Sequence, residues 1–439
     1  MIFIYSKEDN PRIQYVVDFI FKEVLKVDFK LTSDFSSFNS HKGIKVLYTH
    51  NSNETKEVIS IPKYSQNFSE DYILSKPPIL GNGFGAKLFP VHKEGFTLDF
   101  DLFASIFYLL SRQEEYLDTT RDEHQRYRSQ DSIAYQHKFH RIPLIDFWID
   151  ELRKIINQTY KTEIKPPFFT FQATYDIDMA WAYSNKGILR SIVSIISLTL
   201  NRDWKTLKDL PLYWKKQLKD PFFTFDQLER LNSSNTRQKD MYFFLCGQWS
   251  KYDKNSSLNS PDFKELISSI AKVYPIGIHP SYKSFGDFSK LQKEKSYLEK
   301  TSYQKVIRSR QHFLRLKLPD TYQSLIKTGI KEDYSMGFAD EIGFRASTAH
   351  SFFWYDMSKD SVSSLKIYPF QVMDVSLFKY LNYSIEEAQI EVSQILKWIQ
   401  SFGGTFSTLW HNSSFYPKEG WTIETQQFYK DLYSKASKM

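Results

Sequence analysis

One cysteine among 439 residues, Cys246 in MYFFLCG, excludes an intrachain disulfide. Its apolar surroundings mark a small buried core residue rather than a nucleophile. No apolar run approaches the roughly 20 residues that span a bilayer. The N-terminus MIFIYSKEDNPRIQ has no charged stretch followed by an apolar one, so no secretory leader is visible and a cytoplasmic protein is expected. There is no block of Lys and Arg either. A net charge of +7 is mild for this length, whereas nucleic-acid binders concentrate basic charge on one face, so no nucleic-acid partner is expected. Phosphate loops of the forms GxGxxG and GxxxxGK[ST] are missing, as is a GxSxG elbow, which leaves serine-type catalysis without support.

What is present suits a globular protein: 41% hydrophobic and 17% aromatic residues. The length exceeds one ordinary core and points to two domains. MIFIY, KVLYTH and EVISIP read as strands, and PRIQYVVDFIFKEVLKV, LDFDLFASIFYLLSRQEEYL and PLIDFWIDELRKIINQTY as helices. Residues 118–140 are polar and aperiodic, hence loop. The prolines of KTEIKPP then mark a boundary, which places a smaller α/β domain at 1–165. Over 166–439, strand candidates recur between helices: FFTFQATYD, DMYFFLCG, PIGIHP, KEDYSMGF, KIYPFQVMD and GGTFSTLWH. This alternation predicts an α/β fold with a distorted (β/α) barrel, in which polar residues beyond strand ends converge on one face. Residues 188–220 interrupt it with an apolar stretch, two Trp and several Lys and Arg. They read as a helical crossover packed on the barrel or, more sharply, as a peripheral membrane contact at the inner face.

The strand ends carry metal-ligand types: Asp176 and Asp178 in TYDID, His279 in GIHPSY, Asp333 in KEDYSM, Asp374 in QVMD and His411 in LWHNSS. Arg310 and His312 stand in RQH, in a stretch that reads as helix, and Arg345 in GFRAST. Singly, each has a plain structural reading as a cap, a turn residue or an ion pair. Together they suit metal-assisted hydrolysis. A carboxylate and two imidazoles hold a divalent ion with positions left open, a second carboxylate takes a proton from water, and a histidine across the site protonates the leaving group.

The second domain resembles the polysaccharide deacetylases, the carbohydrate esterase family 4 with the NodB-homology fold. The likeness rests on Thr174-Tyr175-Asp176-Ile177-Asp178, on His279, on Leu409-Trp410-His411, and on the segments GIHPSY, RQHFLR, GFRAST and LWHNSS. Residues 166–439 also resemble a divergent bacterial subgroup with an extra N-terminal α/β domain. The resemblance implies a zinc or other divalent cofactor and removal of an acetyl group from an amino sugar or glycan precursor. It makes Asp176 the general base, Asp178 and His279 metal ligands, and His411 the general acid. The family's second metal histidine, four residues after the first, is here Lys283, and His312 is the substitute the sequence offers. Arg310, or alternatively Arg345, would orient the base, and Asp333 or Asp374 would hold His411. Tyr282, Arg345 and Trp410 are the candidate substrate contacts. Two rival readings stand beside this one. The missing histidine suits a silent glycan-binding module on the same scaffold. The Asp-x-Asp pair alone suits a glycosyltransferase, which needs neither His279 nor His411.

Overall fold

A computed structural model of the chain describes residues 1–8, 10–51, 57–64, 76–117, 120–233, 238–418 and 420–439. Strand β1 (Ile2–Ser6) leads into α1 (Pro11–Val17), which starts where the Asn10 side chain accepts the Arg12 N–H and Pro11 takes the first helical position. The apolar spacing continues into a π-helical turn, Asp18–Val24. β2 (Phe29–Thr32), α2 (Phe35–Ser40), β3 (Ile44–Thr49) and β4 (Ile59–Pro62) follow. These strands form a parallel sheet in the order β2-β1-β3-β4. A two-stranded ribbon, β5 (Ile79–Leu80) and β6 (Lys87–Leu88), precedes α3 (Leu102–Ser111), whose ten residues are all buried. Within the expected loop lie a 3-10 turn, Ser129–Asp131, and a short helix, α4 (Ile133–Gln136), and α5 (Leu144–Tyr160) then leads out of the region.

The second part begins with β7 (Phe169–Ile177), then α6 (Ile188–Leu200), α7 (Trp204–Trp214) and α8 (Phe225–Asn232). β8 (Met241–Leu245), α9 (Pro261–Val273), β9 (Ile276–His279), α10 (Phe288–Ser302) and β10 (Arg308–Ser309) come next. α11 (Asp320–Lys327), β11 (Glu332–Asp333), β12 (Phe352–Asp356), β13 (Ser361–Ile367) and β14 (Val372–Met373) precede α12 (Ile385–Phe402), β15 (Gly404–His411) and α13 (Ile423–Ser437). The strands form one sheet in the order β12-β13-β11-β10-β9-β8-β7-β15-β14, parallel except for β12 against β13. β7 is buried from Phe171 onward on both faces, which is why its sequence reads as an apolar run instead of an alternation.

The sheet is open where the sequence predicts a distorted barrel. Its edge strands are the two-residue β14 and the antiparallel β12, and neither continues a ladder to the other. Tyr368 N–H to Asp333 O at 2.8 Å and Gln371 N–H to Ser407 O at 3.1 Å merely extend the β13–β11 and β14–β15 ladders, and between them single backbone bonds such as Phe370 N–H to Met336 O at 3.1 Å and Gly343 N–H to Gln371 O at 2.8 Å tie the intervening loop. Pro369, with no N–H to give, separates the end of β13 from β14, so KIYPFQVMD is not one strand. The edge hairpin β12–β13 is absent from the sequence reading. Among the described residues no helix is long and apolar enough to cross a membrane.

Both parts share one continuous hydrophobic cluster, running from Ile2 to Ala436. A buried ion network also joins them. Glu115 receives Arg345 Nη2 at 2.6 Å and Arg112 Nε at 2.9 Å, and Arg112 Nη2 reaches Glu114 at 2.7 Å. All four side chains are at most 2% exposed. Burial pushes the Glu115 carboxyl up, but Arg345 and Arg112 outweigh it and bring it down to about 2. Arg345 is thus a tie between the two parts and not a substrate contact: its position in a loop beside a strand end is shared with the site, its partner is not. Glu115→Ala would leave the buried Arg345 without its carboxylate and Arg112 with Glu114 alone, and is expected to cost about 3–5 kcal/mol. Urea unfolding reads this directly, and a loss under about 1 kcal/mol would remove the network's structural role.

Candidate metal and catalytic site

Parallel pairing brings the strand ends level. His411 is the register partner of Asp176, and Leu245 pairs with His279. Along β7 successive side chains alternate, so Asp176 and Asp178 face the same way while Ile177 enters the core, 1% exposed. His279 is the last residue of β9. His312 follows β10 in a tight turn, where Phe313 and Leu314 take positive φ of 58° and 53°, a conformation that costs energy and concentrates at functional sites. It is not helical in the α sense; the turn, rather than helical spacing, aims its ring inward.

Asp178, His279 and His312 each offer a ligand atom within 4.8 Å of the others. His279 Nε2 is 3.2 Å from Asp178 Oδ1 and His312 Nε2 is 3.5 Å from Asp178 Oδ2. Each ring's Nδ1 is already engaged. His279 Nδ1 lies 2.6 Å from the Arg310 carbonyl, which can only accept, so Nδ1 donates and Nε2 is left with its lone pair. His312 Nδ1 lies 3.0 Å from Asp253 Oδ1. Asp253 is itself 0% exposed and accepts the Tyr282 N–H and the Ser250 hydroxyl. Although 3.2 Å apart, His279 Nε2 and Asp178 Oδ1 make no well-aligned hydrogen bond, and both atoms are buried. Buried polar atoms rarely go unpartnered. One carboxylate and two imidazoles with inward-facing Nε2 atoms match the donor set of a divalent transition ion. Lys283 is in the turn Tyr282–Ser284, and its N–H donates to Asp253 at 3.4 Å.

Arg310 is wholly buried, with Nη1 donating to Asp176 Oδ1 at 3.0 Å and to Thr174 Oγ1 at 2.7 Å. Its Nε donates to the Tyr334 carbonyl. Asp176 is therefore held on one oxygen by a fixed cation, while its other oxygen lies 3.6 Å from His279 Nε2. Across the site, His411 Nδ1 is 2.9 Å from Asp374 Oδ1, and Asp374 also accepts the His411 N–H at 2.8 Å and the Ser414 hydroxyl. His411 Nε2 faces Asp178 Oδ2 at 3.8 Å. Burial opposes charge on His411, yet Asp374, Asp178 and Asp176 push it up to about 10. His312 behaves alike: burial lowers it, and Asp178 with Asp253 pushes it up to about 9. For Asp178 burial works upward, but the three imidazoles hold its carboxyl well below the usual range.

These groups open into a cavity of about 340 Å³, walled by Phe313, Leu314, Met373 and Trp421 and rimmed by Arg126 and Lys379, a size within the range of ligand pockets (about 300–1,000 Å³). Several sequence candidates lie elsewhere. Trp410 points to the opposite side of β15 from Leu409 and His411 and stacks on Tyr429 at 4.2 Å, 2% exposed; strand parity denies it to a substrate. Tyr282 packs against Tyr252 and Arg315 outside the cavity wall. Asp333 is fully buried and accepts the Ser335 N–H and hydroxyl, leaving His411 to Asp374 alone. Conversely Asp253, Trp421 and Arg126 escaped the sequence reading. Asp253 ends no strand, and Arg126 arrives from the N-terminal part.

Residues 2–161, less than half of the chain, match the model of a family of unknown function (DUF7033). No curated protein matches significantly. Among solved structures, a provisionally named polysaccharide deacetylase from Mycobacterium smegmatis is 13% identical with a TM-score of 0.38, over 62% of this chain and 86% of that one. A 4-α-glucanotransferase from Thermococcus litoralis gives 11% and 0.34, over 60% and 36%. A polysaccharide deacetylase from Bacillus cereus gives 9% and 0.28, over 60% and 88%. At such scores the likenesses assign neither family nor activity.

Cation binding must displace the proton that His312 holds at about 9. Titrating zinc into weakly buffered protein at neutral pH is expected to release protons, with affinity climbing as pH rises and levelling off above about 9. A pH-independent affinity without proton release would remove His312 from the ligand set. Asp253→Asn is expected to weaken cation binding by about 10–100-fold, read by calorimetry, because the ring then loses its charged anchor.

Proposed function

We propose that the chain is a metal-dependent hydrolase that removes an acetyl group from an amino sugar or glycan precursor. The observation that carries this reading is one arrangement. A three-donor set, Asp178, His279 and His312, lies between an arginine-held carboxylate, Asp176, and an aspartate-held imidazole, His411, at the floor of one cavity.

When bound by Asp178, His279 and His312, a divalent ion supplies Lewis acidity towards a carbonyl oxygen and makes a water more acidic. The remaining work belongs to the chain. Asp176, oriented by Arg310, accepts the proton of the attacking water. Oxygen–carbon bond formation is followed by cleavage of the carbon–nitrogen bond. His411 gives its Nε2 proton to the departing amine, so acetate and a free amino sugar leave. Asp374 keeps His411 in the tautomer and charge state for that donation. Phe313, Leu314 and Met373 exclude water from the cavity floor. The glycosyltransferase alternative leaves this histidine set without a use.

Acetate release from N-acetylated chito-oligosaccharides tests the reading. Asp176→Asn is expected to keep the metal and lose about 10²–10⁴-fold in kcat, whereas Asp178→Ala is expected to lose both metal and activity. Undiminished turnover by Asp176→Asn would overturn the base assignment. A protein that binds glycans but neither holds an ion nor releases acetate would be the silent module instead.

A further inference from the structure

Helices α6 and α7 leave the sheet just beyond Asp178 and carry an apolar face that nothing in the described chain covers. On α6, Ile192, Val193, Ile196 and Leu200 are 48%, 58%, 53% and 77% exposed, and on α7 Trp204 and Trp214 are 55% and 43% exposed. Exposed apolar side chains scattered singly need no explanation; a run along one helix, extended by two tryptophans on the next, marks an interaction surface. Arg190 is the one charged residue of α6.

The charge around this face is mainly positive. Residues 188–220 contain seven Lys or Arg against three Asp. Two of those acids are already engaged: Asp220 is buried and accepts the N–H groups of Ala182, Tyr183 and Ser184, and Asp203 pairs with Lys418 at 2.9 Å. Arg202, Lys205, Lys208 and Lys215 are exposed and form no ion pair among the described residues. A second copy seated on the same patch by two-fold symmetry would set these cations against their own kind. An anionic bilayer satisfies both features, with apolar side chains in the acyl boundary, cations at the headgroups and tryptophans between.

The helices are tied to the mouth of the cavity. Lys418, which holds Asp203 and donates to the Tyr183 hydroxyl, lies three residues before Trp421 of the cavity wall. We propose that α6 and α7 dock the protein on an anionic membrane surface and present the cavity to glycans carried on lipid. The choice of substrate rests on the deacetylase reading; the docking does not.

Co-sedimentation with phosphatidylcholine vesicles, with and without phosphatidylglycerol, tests it. At least about tenfold more protein is expected on the anionic vesicles, decreasing with added salt. Ile192→Ser/Ile196→Ser/Trp204→Ser and, separately, Lys205→Glu/Lys208→Glu/Lys215→Glu are each expected to lose about tenfold in binding. Unchanged circular dichroism and acetate release from soluble substrate would show that each variant is folded. Equal binding to neutral vesicles, or none to either, overturns the proposal. So does a concentration-dependent dimer that the apolar variant abolishes, since a second copy would then be the occupant. Asp176→Asn protein is expected to bind vesicles like the wild type, which separates failure of docking from failure of the enzymatic reading.

Discussion

Three imidazoles point their Nε2 atoms at one carboxylate, and each is fixed from behind. His279 gives its Nδ1 proton to the Arg310 carbonyl, His312 to Asp253 and His411 to Asp374. With Nδ1 spoken for, ring orientation and tautomer follow, and all three faces converge on Asp178. Burial makes the arrangement costly unless charges balance, so the outer carboxylates are structural requirements as much as chemical aids. Arg310 serves twice. Its carbonyl holds His279 and its guanidinium holds Asp176.

The N-terminal part borders the same cavity through Arg126. Glu115 clamps Arg345 in the loop that follows β11, and Arg126 reaches the rim of the cavity beside Tyr380, bonding its hydroxyl at 2.9 Å. A shared hydrophobic cluster and a buried ion network make the two parts one packing problem. The open sheet suits this division. Where a ladder fails to close between β14 and β12, residues 334–351 and 368–371 fill the gap with single hydrogen bonds and buried side chains.

Much of the site was legible because strand ends announce themselves. TYDID closes an apolar run, and its one-residue spacing puts two acids on one face by parity alone. His279 and His411 end runs of the same kind. The same parity turns Trp410 to the face of β15 opposite His411, against Tyr429. His312 lies beside Asp178 but not on a helix, since two consecutive left-handed residues, neither of them glycine, leave little trace in composition. Asp253 carried no signal, because its importance is a contact 59 positions away in sequence.

Residue order alone determined the parallel α/β character, the strand ends and which acids and histidines stand there, since these follow from periodicity and from the side-chain alternation of a strand. Whether the sheet closes, that His312 occupies the place beside Asp178, that Asp374 and not Asp333 holds His411, and that Arg345 joins Glu115 were decided only by tertiary packing. Each of those outcomes depends on register and on contacts between residues far apart in the chain, and local propensity does not encode distance.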